Sequence, residues 1–226
     1  MCVINWNNST NKVNKVNKTI KSKGFGSSRG SRGSKAQSNG LEYENKTSLS
    51  KYYKKITKKM FKRNSKIYEE IVFNNNNPIS YVHLSQSTFN TYMEEHGKIN
   101  KKIIKASGCC NPDDVYIDTK NENLFIIEKK FQQDGGSADE KIQTGVYKKE
   151  HYTKLYPSYY IHYIYCLSTW FKNPKYYDVI NYLRYYDISV FFEDEDYCNK
   201  IIQYILINSY VKNNNTRIYK RIRFIE

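Results

Sequence analysis

Two short β-rich runs, Val115-Tyr116-Ile117 and Leu124-Phe125-Ile126-Ile127, stand on either side of the polar stretch Thr119-Lys120-Asn121-Glu122-Asn123. Strand-forming runs joined by turn residues are the pattern of a β-hairpin. A hairpin cannot bury its own faces, so other elements must cover it. The chain beyond it supplies them. Gly135-Gly136-Ser137 breaks the chain, and Ser137 is predicted to cap a helix reaching to about Leu155. Residues 159–167 form an aromatic, β-rich run that reads as a buried strand, and residues 174–186 are amphipathic and predicted helical. Ile188-Ser189-Val190-Phe191-Phe192 reads as another strand, followed by a helix over 197–210. This order predicts an α/β fold, a mixed central sheet flanked by helices.

Upstream of the hairpin, Tyr52, Ile56, Met60, Ile67 and Ile71 recur at helical spacing among many lysines, which predicts a helix from Leu49 onward. Residues 73–78 are a loop by composition and by Pro78. A second helix is predicted from about Ser85, a fair N-cap, to Ala106, interrupted near Gly97. Residues 1–45 differ in kind. Asn, Lys, Ser and Gly dominate, and such a segment buries too little apolar surface to offset its ordering entropy. It reads as a disordered basic low-complexity arm, either a grip on phosphate backbones or a solvated tail. Gly24-Phe25-Gly26 is no phosphate loop, since no strand precedes it and no Lys-Ser/Thr follows. One domain is therefore expected over 46–226, with its core at about 85–210.

The net charge of +15, from 37 Lys+Arg against 22 Asp+Glu, favours polyanionic partners, because neutralising a phosphate releases counterions. No stretch approaches the roughly 20 apolar residues needed to span a bilayer, and Met-Cys-Val-Ile-Asn-Trp is too short for a secretory core. The expectation is an intracellular protein, in cytoplasm or nucleus, that does not use a membrane. Five cysteines without paired CxxC spacing point to free thiols and no structural zinc. The four histidines show no ligand spacing, and His162, within an aromatic strand, reads as a hydrogen-bonded core residue.

The chemistry lies in Asn111-Pro112-Asp113-Asp114 and, after the turn, Ile127-Glu128-Lys129-Lys130-Phe131-Gln132. Strand side chains alternate, so Ile126, Glu128, Lys130 and Gln132 share one face. The hairpin brings Asp113 toward the same end. Two converging carboxylates repel each other unless a cation sits between them, and Mg²⁺ is the hard ion that fits. It polarises a phosphoryl oxygen and acidifies bound water, and a neighbouring ammonium orients that water or stabilises growing charge.

Pro112-Asp113, the hairpin and Glu128-Lys129-Lys130 together resemble the PD-(D/E)XK nuclease superfamily, the restriction-endonuclease-like fold. Gln132, residues 136–144 and residues 163–171 extend the likeness to small type II restriction endonucleases. The resemblance implies Asp113 and Glu128 as metal ligands beside the Lys129 carbonyl, and Lys130 as catalytic lysine. Mg²⁺ is the implied cofactor, with Mn²⁺ a substitute. It also implies double-stranded DNA as substrate, a homodimer and a cognate DNA methyltransferase as companion. Asp114 and Asp118 stand as alternative ligands, on the opposite face unless the register slips by one. Glu94 and Glu95 are candidates for an assisting helix glutamate. Gln143 and Tyr147, four apart on one predicted helix, resemble the Gln-xxx-Tyr element of RecB-type nucleases. Lys141, Lys148 and Lys149 on that helix are candidate phosphate contacts, or simply a solvated face. Two rivals remain: a repair nuclease directed to ends or structures, and a basic DNA-binding module without chemistry. Exposed tyrosines among the 23 could stack on bases, and the alternating residues 217–223 form a basic edge-strand pattern.

Overall fold

Every strand pairs with its neighbour in sequence, which gives one seven-stranded sheet in chain order. The computed structural model describes residues 32–74, 79–96, 99–104, 110–133 and 137–210. Strands β1 (Tyr53–Met60), β2 (Ile67–Phe73), β3 (Ser80–Ser85), β4 (Asp114–Asp118) and β5 (Asn123–Lys130) form an antiparallel meander. Strands β6 (Tyr160–Leu167) and β7 (Ile188–Phe192) then run parallel to β5. Parallel neighbours need a crossover. Helices α3 (Ser137–Gln143) and α4 (Gly145–Leu155) make the first, and α5 (Tyr177–Tyr185) the second.

Helix α2 (Gln86–Glu95) and the crossover helices cover one face, here the front, over Leu124, Ile126, Tyr163 and Tyr165. Helices α1 (Arg32–Lys46) and α6 (Tyr197–Tyr210) flank the back, over Phe125, Ile127, Ile164 and Cys166. Strand β5 is thus buried on both sides, as its unbroken apolar run requires. At its C-terminal end the buried run changes to Glu128-Lys129-Lys130, so charge enters where the core thins.

The hairpin, β6, β7, α5 and α6 match the sequence expectation. Four stretches differ. Residues 53–60 and 67–73 are strands, not helix. Ile56, Met60 and Ile67 are exposed by 49%, 65% and 49% and mark no buried helix face, whereas Ile71 and Phe73 belong to the core. Spacings of four are also even, so Tyr52, Ile56 and Met60 fit one face of a strand as well as a helix. Lysines along β1 guard a sheet edge. The second helix is capped at Ser85 as expected, with a reciprocal Ser85–Thr88 capping box, but it ends at Glu95 rather than near Ala106. The backbone N–H of His96 closes it on Tyr92 O at 3.0 Å.

The helix expected over 137–155 is broken into α3 and α4 at Thr144-Gly145. A Cβ at Gly145 would sit 2.7 Å from a Tyr165 ring carbon and 2.9 Å from a Leu183 methyl, so glycine lets α4 lie against β6 and α5. Helix α1 begins inside the segment that composition assigns to the arm. Tyr43 anchors it, 3% exposed, with its hydroxyl 3.2 Å from Cys166 Sγ and its ring against Phe131. The basic residues Lys12, Lys15, Lys18, Lys21, Lys23 and Arg29 and the alternating residues 217–223 lie outside the described residues. Cys110, Cys166 and Cys198 are buried and form no disulfide. Among the described residues no helix is long and apolar enough to cross a membrane.

Candidate active site

Asp113 immediately precedes β4, and the alternation of that strand turns it to the front with Val115 and Ile117. Its Oδ2 accepts the Lys129 backbone N–H at 2.7 Å, which ties the first residue of the hairpin to the end of β5. Glu128 is on the same face and 3% exposed. Burying a carboxylate costs several kcal/mol unless it is paired, and two lysines pair with this one. Lys130 Nζ is 2.7 Å from Glu128 Oε2, and Lys148 Nζ, on α4, is 3.5 Å from Glu128 Oε1. The close approach of α4 at Gly145 is what brings Lys148 so near.

Lys130 Nζ also lies 3.2 Å from Asp113 Oδ2 and 3.0 Å from the Lys129 carbonyl oxygen. Three oxygens from two carboxylates and one carbonyl therefore converge on a single ammonium. Burial alone would lower the Lys130 pKa, but the Glu128 and Asp113 carboxylates outweigh it and raise it above the ordinary lysine value. A point that collects three hard oxygens suits a hard cation, and Mg²⁺ or Mn²⁺ fits this donor set. Among the described residues no group of three or more His, Cys, Asp or Glu side chains could hold a metal. An ion held by Asp113, Glu128 and the Lys129 carbonyl would complete its shell with water or phosphate oxygens, the usual manner of Mg²⁺.

The alternative ligands lie elsewhere. Asp114 points to the back, where Lys129 Nζ pairs with its Oδ2 and His83 Nε2 lies 3.2 Å from its Oδ1. Burial would raise its pKa, yet His83 and Lys129 outweigh that and lower it. Asp118 caps the hairpin turn, accepting the backbone N–H groups of Lys120 (3.0 Å) and Asn121 (3.1 Å). Glu95 is engaged at the β1–β2 turn, accepting from Arg63 N at 2.9 Å and Lys62 N at 3.2 Å, and Glu94 is exposed. The helix glutamate beside Asp113 is instead Glu44 of α1. Loss of hydration and the Asp113 charge raise its pKa, and its carbonyl accepts from Lys129 Nζ at 3.4 Å. A cleft of about 220 Å³ between α1 and the end of β5 is lined by Glu44, Lys129, Lys130, Gln132 and Lys141 among others. Low-complexity composition hid this helix, and only Tyr43, the one aromatic near its end, signals that it packs.

Gln132 has left the strand. Its backbone N–H donates to Ser168 Oγ (3.1 Å) and its carbonyl accepts the Ser168 hydroxyl (3.0 Å). Gln143 and Tyr147 fall on separate helices, so the single-face relation does not hold. The Gln143 amide turns back to Asp139 O at 3.3 Å, and Tyr147, 59% exposed, stacks on His151. Lys141 is exposed on the rim of the cleft and Lys148 is in the site. Lys149 is neither a surface grip nor in the site: its ammonium donates to Tyr186 O (2.8 Å) and Asp187 O (2.9 Å) at the α5–β7 turn. Burial lowers its pKa. His162 is the core residue expected, its ring nitrogens 3.2 Å from Tyr204 OH and 3.3 Å from Asn123 Oδ1.

No protein-family model, curated protein or solved structure matches this chain.

Proposed function

We propose that the protein is a Mg²⁺-dependent DNA endonuclease of the PD-(D/E)XK kind with a restriction-endonuclease-like core, hydrolysing phosphodiesters in duplex DNA at specific sites. The observation that carries this reading is the convergence of Asp113 Oδ2, Glu128 Oε2 and Lys129 O on one cationic point at the end of a buried strand. Asp113 and Glu128 would hold the ion, and the Lys129 backbone N–H holds the Asp113 carboxylate in place. When bound, Mg²⁺ supplies Lewis acidity and an acidified water.

Lys130 stays protonated at neutral pH, given the direction of its shift, and offers its ammonium to the charge that builds on the phosphate in the transition state. Lys148 compensates the second Glu128 oxygen. Lys141 on the rim draws the DNA backbone toward the cleft, and the net charge of +15 strengthens that attraction. Cutting both strands of a duplex favours a symmetric homodimer, and a cognate methyltransferase would protect the host. The RecB-like reading loses its particular support with the break between Gln143 and Tyr147. A binding module without chemistry has no need of a buried Glu128 clamped by two lysines.

The test is incubation of the purified protein with closed-circular unmethylated plasmid in Mg²⁺ and in chelator, beside Glu128→Ala. Discrete metal-dependent fragments are expected from the parent, with a rate loss of at least about a hundredfold in the variant. Equal cutting by the two proteins would defeat the assignment.

A further inference from the structure

Two clefts open beyond the C-terminal ends of β5 and β6, and Gln132 lines both. Crevices at that edge of parallel strands are where open α/β sheets take ligands. The cleft by the proposed metal site carries Lys129, Lys130 and Lys141. The second, about 440 Å³, is lined by Gln132, Gln133, Thr169, Trp170 and Asn173, with no charged side chain. A lysine-rich cleft that shares Gln132 with a neutral carboxamide cleft matches the two halves of a nucleotide, phosphate and base.

The hydrogen bonds decide which base. Asn173 Oδ1 accepts the Lys175 backbone N–H at 3.1 Å, which fixes the amide and leaves Nδ2 as the donor end. Gln133 Oε1 accepts from Asn39 Nδ2 at 3.5 Å, a weaker hold that likewise leaves Nε2 to donate. Trp170 is a fixed wall: its indole N–H is shared between Tyr176 OH (2.7 Å) and Asp139 Oδ1 (3.2 Å), and Lys175 Nζ lies 4.8 Å from its ring centre. Two amides line this cleft, each with its oxygen engaged and its NH2 end left to donate, and such a pair complements a base edge with two acceptors side by side. In the major groove that is guanine, through N7 and O6, whereas adenine presents a donor beside its acceptor.

We propose that this cleft is a base-reading subsite that selects guanine beside the scissile phosphate, with Asn173 and Gln133 as specificity-determining residues. The inference rests on the nuclease reading above. The discriminating variant is Asn173→Asp, which keeps the oxygen that accepts from Lys175 N and replaces the donor with an acceptor.

The measurement is sequencing of cut ends from a randomised duplex library treated with full-length parent and Asn173→Asp protein in Mg²⁺. The parent should show guanine enriched at one position next to the cut. The variant should lose roughly tenfold at guanine while still cutting, with an unchanged melting temperature. Replacing that guanine by 7-deazaguanine, which lacks N7, should slow the parent and have no further effect on the variant. Unaltered guanine preference in the variant, or a parent preference for another base or none, overturns the subsite and leaves the nuclease reading standing. A parent that cuts no DNA overturns the nuclease reading, and the subsite falls with it.

Discussion

The front and back of the β4–β5 hairpin carry two charged clusters made from adjacent residues, and they solve opposite problems. On the back, one carboxylate, Asp114, is held by Lys129 on one oxygen and His83 on the other. His83 in turn reaches Glu69 at 3.4 Å and stacks on Tyr116 at 5.0 Å, under a Tyr53–Tyr116 hydroxyl contact of 2.7 Å. On the front, two carboxylates and a carbonyl crowd one ammonium beside an open cleft. The back is a closed structural network. The front gathers its oxygens around one cationic point at the cleft. A period of two therefore separates a closed ion-pair cluster from the candidate site within a single Glu-Lys-Lys run.

The sharpest way to break this comparison is to remove one acid from each side. Asp114→Ala strands Lys129, which is buried, and should cost about 3 kcal/mol of folding stability. Chemical denaturation would measure it, with the surviving folded protein still cutting DNA. A variant of Asp114 that melts normally yet has lost all cleavage would reverse the roles assigned to the two faces.

A second effect separates the faces by pH. Burial, then the Lys149 charge, hold the His162 pKa down at about 3 against its usual 6.5. Between those values the unfolded chain binds a proton that the folded chain does not. Stability should fall on acidification from pH 6.5 toward 3, by up to about 1.4 kcal/mol per unit. Asp114, whose folded pKa is lowered, adds a loss as pH drops below the ordinary carboxylate range. Lys130 acts in the opposite direction: its raised pKa contributes stability that persists up to the lysine range and is lost above it. The back should thus fail in acid and the front in alkali. Denaturation across pH in chelator, with His162→Gln beside the parent, checks this. An acid slope unchanged in that variant would remove His162 from the account.

Much of this was legible in the sequence where pattern and burial coincide. The Leu124-Phe125-Ile126-Ile127 run is apolar throughout because both its faces are covered, and the polar turn before it fixes the hairpin. Asp113, Glu128 and Lys130 follow from that register alone. The meander β1–β3 was illegible because Ile56, Met60 and Ile67 are exposed, so the spacing they share with the buried Ile71 reports no single buried face. Helix α1 escaped notice because its composition is that of an unfolded chain, although Tyr43 ties it to Cys166. Lys149 read as a surface cation because its partners are backbone carbonyls, which no side-chain pattern encodes.

Lys130 occupies the point where the front carboxylates hold a cation, and in the proposed nuclease its role differs from theirs. The most direct test is calorimetric titration of Mn²⁺ and Mg²⁺ into the parent, Lys130→Met and Glu128→Ala, each also assayed for plasmid cleavage. Lys130→Met should bind metal at least as tightly as the parent while cleaving at least about a hundredfold more slowly, and Glu128→Ala should lose both. Undiminished binding in Glu128→Ala, or full cleavage by Lys130→Met, would contradict it.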